Sequence, residues 1–358
     1  MFSEEDFITQ LAVASTCAIQ ALDSTGPPLI TAHLLAKQLQ HLHLQLPPMT
    51  FNSNVDTPSF RLPDASVYLD HYDLQRLTAG RQMQHFIGTL NCLAYNIAVQ
   101  YWLPPMSTGT VFVVHGYFDH AGLYGHLIEY LLNRNLAVVA FDLPGHGLSD
   151  GEQVSIASFD HYVEVFDAIL VRAEAHLPKP WHSVGQSTGG AIILKHLLQE
   201  PADRHLFADI AILAPLLRPR HWQGNRLVYM LIHRFMSRMT RKFQANSGDA
   251  AFLEFLANKD PLQARHIPLL WIGAMKRWTE EFHALPVSAH PVHIIQGDQD
   301  TTLDWRYNLK QFRHKLPNAN IHIINGARHH MVNECAPLRS QVFAAMGFET
   351  APRVDLPG

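Results

Sequence analysis

Cysteine is scarce in this chain. Cys17, Cys92 and Cys335 lie far apart and are odd in number. Neither a disulfide framework nor a Cys-x-x-Cys metal site can be read from them, and reduced thiols are the expectation. Charge is also sparse and nearly balanced: 27 Lys and Arg stand against 31 Asp and Glu, a formal net charge of −4. That balance excludes a global polyanion-binding signal, so no nucleic-acid partner is expected. Long apolar runs are missing, and no segment reaches the roughly 18 residues needed to span a bilayer. The first residues, Met1-Phe2-Ser3-Glu4-Glu5-Asp6, are acidic where a secretory leader is basic, and a cytoplasmic location is expected. No internal repeat or low-complexity tract is present.

What the chain does have is apolar residues, 47% of 358, enough for a large core. Residues 3–22 follow a helical pattern, with Phe7, Leu11, Ala14, Ala18 and Leu22 on one face. A second helix is expected from Thr31 to Leu46, stopped by Pro47-Pro48. Residues 47–65 read as a loop, and 66–82 as a further helix with Tyr68, Tyr72 and Leu77 on its apolar side. Residues 1–65 carry no recognisable chemistry and are read as a helical extension of a main domain over 66–358.

From Phe86 the period changes. Tyr95, Ile97, Val99 and Tyr101 alternate against Asn96, Ala98 and Gln100, a strand pattern. Short apolar strands then alternate with helical stretches. The strands are Thr110 to Val114, Leu136 to Phe141, the run up to Ser187, Asp209 to Ala214, Val292 to Gln296 and Ile321 to Ile324. This order predicts an α/β fold, a mostly parallel sheet with helices on both faces. An insert from Pro215 to Pro291 interrupts it and is expected to form a helical lid. Between Pro215 and Gly248 the insert has no acidic residue but carries Arg218, Arg220, Arg226, Arg234, Arg238, Arg241 and Lys242, interleaved with Leu227, Met230, Leu231, Phe235 and Met236. Such a segment has the composition for peripheral contact with an anionic lipid surface.

The most informative stretch is Gly185-Gln186-Ser187-Thr188-Gly189-Gly190. It joins an apolar strand to an apolar helix, with a serine at the apex and glycine two places to either side. This is the spacing of a nucleophile elbow. A serine hydroxyl needs a general base, and the base an orienting carboxylate, after the nucleophile in the order Ser, Asp, His. Asp298 and Asp300 compete in the turn after Val292 to Gln296, Asp300 the better placed because the glycine turn must be passed first, with Asp304 behind them. His329 and His330 compete after Ile321 to Ile324. The amides of Thr188 and Tyr117 are the candidate oxyanion donors, each able to contribute roughly 2.7–4 kcal/mol. His115 and His146 are read as turn-stabilising residues.

These stretches resemble the α/β-hydrolases, in particular their monoacylglycerol lipase and lysophospholipase branch. The likeness rests on His115-Gly116-Tyr117 with Asp119-His120, on Asp142 to Gly151, on Gly185 to Gly190, on Asn258-Lys259-Asp260-Pro261-Leu262, on Gly297-x-x-Asp300, and on Gly326-Ala327-Arg328-His329 with Glu334. It covers about Phe86 to Phe348. The resemblance implies that Ser187 is the nucleophile, Asp300 the orienting acid and His329 the base, preferred over Asp298 and His330. It also implies ester hydrolysis, with a monoacylglycerol or lysophospholipid-like substrate, no cofactor and no obligate protein partner. Amide hydrolysis of the serine-aminopeptidase type and a non-catalytic binding protein on the same fold are the alternatives. Two departures stand beside the serine and the oxyanion turn. Many relatives have Gly-His-Ser-Met-Gly where this chain has Gln186 and Thr188, and Tyr117 is bulkier than the small residue common in the lipases. The 24 histidines raise a metal site, but no H-E-x-x-H or similar cluster is present, and none is expected.

Overall fold

The computed structural model describes residues 29–201 and 205–348. The helix read over 3–22 lies outside them. Among the described residues the first helix, α1, is Leu29–Gln45, stopped by Pro47-Pro48 as expected. The helix read over 66–82 is shorter: α2 spans Ala65–His71, and a separate 3-10 turn covers Gln75–Leu77. Asp73 adopts φ +54°, a left-handed conformation that a right-handed helix cannot continue through. Tyr68, Tyr72 and Leu77 are all buried.

Ten strands follow. A hairpin of β1 (Gln84–Cys92) and β2 (Tyr95–Leu103) turns at Leu93, φ +54°. Then come β3 (Thr110–Val114), β4 (Ala137–Phe141), β5 (Trp181–Gln186) and β6 (Asp209–Leu213), with β9 (His293–Gly297) and β10 (Asn320–Ile324) after the insert. Their order in the sheet is β1-β2-β4-β3-β5-β6-β9-β10. The hairpin pairs antiparallel, internally and with β4, and every other pairing in this sheet is parallel. Two further short strands, β7 (Arg238–Thr240) and β8 (His266–Pro268), form an antiparallel pair inside the insert.

Successive residues of the central strands face opposite sides, so the sheet divides two apolar cores. Phe112, Val114, Val139, Phe141, Ile210 and Ile212 meet α4 (Phe159–Ala173), α5 (Thr188–Gln199) and α8 (Leu269–Ala284) on one side. Val111, Val113, Val138, Ala140, Ala211 and Leu213 meet α1, α2, α3 (Gly125–Leu132) and α10 (Ala336–Ala344) on the other. Leu39, Leu42 and Leu46 of α1 are buried in this second core.

The insert has two kinds of helix. In α6 (Trp222–Ile232) most side chains are exposed, whereas α8 sinks Trp271, Ala274, Met275, Trp278 and Phe282 into the first core. Between them lies α7 (Ala250–Asn258), and α9 (Trp305–Lys315) follows β9. Among the described cysteines, Cys92 is a free thiol. No helix among the described residues is long and apolar enough to cross a membrane.

Candidate active site

The turn at Ser187 is as sharp as its glycines suggest. Ser187 has φ +53° and ψ −109°, a conformation that non-glycine residues rarely hold. A methyl group on Gly185 would sit 2.5 Å from the carbonyl carbon of Gly189. On Gly189 it would sit 2.0 Å from the Val114 carbonyl oxygen. Strand β5, helix α5 and strand β3 approach so closely here that neither position admits a side chain. The strained residue is tied down at both ends: its amide donates to Leu213 O at 2.8 Å, and its carbonyl accepts from Leu216 N at 3.0 Å.

Two strand ends deliver the partners. Asp300 follows β9 and His329 follows β10, each after a tight turn. His329 Nδ1 lies 2.8 Å from Asp300 Oδ2. A carboxylate only accepts, so Nδ1 carries the proton and Nε2 is left as the acceptor. That nitrogen lies 3.0 Å from Ser187 Oγ. Asp300 Oδ1 accepts from the amides of Thr302 and Leu303 at 2.8 and 3.0 Å, and Gln296 Nε2 donates to Oδ2 at 3.1 Å. All three residues are buried. Burial works against charge on both His329 and Asp300, but their mutual attraction and hydrogen bonding outweigh it. The His329 pKa is raised above 6.5 and that of Asp300 is lowered.

The competing residues do other work. Asp298 accepts from Gly326 N at 2.8 Å, which ties the β9 turn to the β10 turn. Asp304 caps α9 and pairs with Arg218. His330 turns away to Asp119, with Nε2 3.1 Å from Oδ1. His115 stabilises its turn, as read from the sequence. Its Nδ1 donates to Gly116 O at 2.8 Å, and its Nε2 accepts from Leu143 N at 2.8 Å. Burial, with help from His146, lowers its pKa to about 3. His146 likewise donates to Pro144 O at 3.0 Å.

Tyr117 and Thr188 border the same cavity as Ser187 and His329, a space of about 380 Å³. Thr188 opens α5, where backbone N–H groups lack intrahelical acceptors. The bulk of Tyr117 forms a wall. Its ring stacks on Trp271 with centroids 3.6 Å apart, and its hydroxyl donates to Val154 O at 2.8 Å. Most of the remaining lining is apolar, from Leu216, Val228, Trp271, Ile272 and Met275 among others. No group of three His, Cys, Asp or Glu among the described residues could hold a metal ion.

Two arrangements escape a reading of the sequence. Gln186, a departure from the usual elbow, is a clamp. Its Nε2 donates to His329 O at 2.8 Å and its Oε1 accepts from Met331 N at 3.2 Å, so the elbow grips the histidine loop directly. Removing it in Gln186→Ala is expected to cost about 1–3 kcal/mol of stability. Looser placement of His329 is expected to lower kcat about ten- to a hundredfold with little change in KM. Unfolding curves and steady-state kinetics check both, and wild-type kcat in this variant would reject the clamp. The second arrangement fixes the turn at Gly116 and Tyr117. Asp119 joins His330 to the Tyr124 hydroxyl (2.9 Å), which accepts from Gly116 N at 2.9 Å.

Residues 105–336 match the family described as serine aminopeptidase, S33. The chain belongs to this family. Within the S33 hydrolases it is similar to the monoglyceride lipase of Homo sapiens, 25% identical over 274 residues that cover 72% of this chain and 88% of that protein. It is also similar to phospholipase YtpA of Bacillus subtilis, 24% identical over 68% of this chain and 95% of the other. In three dimensions it is similar to a soluble variant of monoglyceride lipase from Saccharomyces cerevisiae. There the TM-score is 0.62 at 19% identity, with 72% of this chain and 92% of the other covered. The chain is an α/β-hydrolase of the monoacylglycerol lipase-like branch.

Proposed function

We propose that this chain is a serine hydrolase of lipid carboxylic esters, with a monoacylglycerol or lysophospholipid-like molecule as substrate. The observation that carries the reading is the line Ser187 Oγ, His329, Asp300 opening into a mostly apolar cavity. His329 Nε2 takes the hydroxyl proton as Ser187 Oγ bonds to the ester carbon. The Tyr117 and Thr188 amides hold the resulting oxyanion. His329 then gives its proton to the alkoxide as the C–O bond breaks and the alcohol leaves. Water, deprotonated by the same nitrogen, attacks the acyl-enzyme and releases the acid. Relatives named monoglyceride lipase and phospholipase support the lipid assignment. An aminopeptidase needs a free carboxylate for the substrate's amine. Among the described residues the one cavity-lining carboxylate, Asp119, is engaged by His330 and Tyr124.

A hydrolysis panel tests this. Monoacylglycerols and lysophospholipids are expected to be cleaved with higher kcat/KM than short nitrophenyl esters, and aminoacyl amides not at all. Preference for short nitrophenyl esters alone overturns the lipid assignment.

We propose further that residues 1–65 extend a hydrolase domain over 66–358, and that α6 in the 215–291 insert covers the cavity and meets the lipid phase. Leu231 at the end of α6 and Phe235 and Met236 just after it are exposed, Phe235 to 86%, beside the exposed Arg234 and Arg238. The double variant Leu231→Ser, Phe235→Ser is expected to bind phosphatidylserine-containing vesicles roughly 10–100-fold more weakly. Cosedimentation at equal lipid concentration measures it, and unchanged binding would place the contact elsewhere.

A further inference from the structure

One charged side chain in the cavity has no part in the steps above. Arg241 follows β7 in the insert and lines the cavity together with Ser187, His329 and Asn246. Its guanidinium is held from several directions. Nη1 donates to Gln263 Oε1 at 2.7 Å and to Ala264 O at 3.1 Å. The guanidinium carbon lies 3.8 Å from the centroid of the Phe118 ring and 4.3 Å from that of Phe243. Gln263 is itself anchored, donating to Phe118 O at 3.0 Å and to Asp260 Oδ2 at 2.9 Å. Asp260 is buried against His120 and Tyr72. A chain of fixed groups within the insert therefore holds this arginine against Phe118, the neighbour of Tyr117.

A cation so placed calls for an anion. Among the described residues no Asp or Glu forms an ion pair with Arg241. The carboxylates whose fields reach it are committed to other groups: Asp119 to His330 and Tyr124, Asp260 to His120, Tyr72 and Gln263. Burial lowers the Arg241 pKa to about 10, so it remains a cation at neutral pH. Two neutral acceptors on one nitrogen leave Nε and Nη2 for a ligand. A guanidinium presenting two parallel donors matches phosphate and carboxylate oxygens.

We propose that Arg241 is the receptor for an anionic group on the substrate. The preferred ester is then a single acyl chain on a small alcohol that also bears a phosphate or a carboxylate. This rests on the ester-hydrolase reading and narrows its substrate.

The test uses full-length protein and short-chain esters kept below micelle formation, so that surface charge on the lid does not enter. Hexanoylglycerol, hexanoylglycerol 3-phosphate and hexanoylglycerol hemisuccinate are compared; the last two arms distinguish phosphate from carboxylate. Wild type is expected to favour at least one anionic ester over the neutral one by about tenfold or more in kcat/KM. Arg241→Gln is expected to lose about 10–100-fold on that ester and less than about threefold on hexanoylglycerol. Arg241→Lys should recover part of the loss, and Arg313→Gln, an exposed site on α9, none of the effect. An equal fall on all three esters in Arg241→Gln makes Arg241 a structural residue and overturns the proposal, as does a wild type with no anionic preference. A second readout needs no turnover: protection of Ser187 from a fluorophosphonate by hexyl phosphate, against hexanol. Wild type should be protected at about tenfold lower hexyl phosphate than Arg241→Gln. If wild type labels but cleaves none of the esters, the ester reading falls by itself, and the protection ratio decides Arg241. Equal protection of both proteins overturns it.

Discussion

Ser187→Ala is expected to lower kcat on any ester the wild type cleaves by on the order of 10⁶-fold, with KM nearly unchanged. The size of the effect follows from the geometry. His329 Nε2 has one partner at Ser187, the hydroxyl 3.0 Å away, and alanine offers no proton to take. The substitution should spare the fold. Alanine has the same Cβ as serine, so the strain at φ +53° is neither added to nor relieved. The backbone bonds to Leu213 and Leu216 do not involve the side chain. The melting temperature should therefore stay within a few degrees of wild type while fluorophosphonate labelling disappears. A folded Ser187→Ala protein that still hydrolyses esters would mean another nucleophile, and the assignment built on the elbow would be lost.

How much of this was legible in the sequence depends on how far apart the cooperating residues lie. The elbow was readable because its steric demand is local: Gly185 and Gly189 flank Ser187 within one turn, and their need to lack side chains leaves a pattern. The inner parallel strands β3, β4 and β6 were readable because burial on both faces makes each a largely apolar run. The choice between Asp298 and Asp300, or His329 and His330, was not decided by local pattern alone. Each pair sits in one turn; the resemblance to known hydrolases alone separated the histidines, and for the aspartates it added to the place of Asp300 beyond the glycine turn. The clamp by Gln186 could not be seen at all, since its partner carbonyl is 143 residues away. The same holds for Asp260 and His120, 140 residues apart. The packing of α8 in the insert was hidden for a different reason. Apolar periodicity in α8 is the same whether a helix lies over a cavity or under it, and only burial of Trp278 and Phe282 reveals the second. The helix expected over 66–82 fails at Asp73, where a single left-handed residue overrides the propensity of its neighbours.

Asp300→Asn is expected to lower kcat by about 10⁴-fold and to move the pH profile toward acid. The carboxylate accepts four hydrogen bonds, two on each oxygen. Asparagine keeps one acceptor oxygen. With that oxygen on the Thr302 and Leu303 amides, its NH₂ faces His329 Nδ1. The imidazole must then accept there and carry its proton on Nε2, where it can no longer take one from Ser187. The pH shift follows from the balance at His329. Burial lowers its pKa and the Asp300 charge raises it, with a smaller push from Asp119, and the net in the wild type is upward from 6.5. With neutral His329 as the proposed base, activity is expected to rise with pH through that pKa, which puts the wild-type acid limb of kcat/KM above pH 6.5. Removing the carboxylate charge leaves burial dominant, and the limb of Asp300→Asn falls below pH 6.5. Profiles between pH 5 and 9 on one soluble ester measure both effects. A variant with the wild-type rate, or with a limb that does not move, would show that Asp300 neither orients nor charges the imidazole. The base would then have to be sought elsewhere in the cavity.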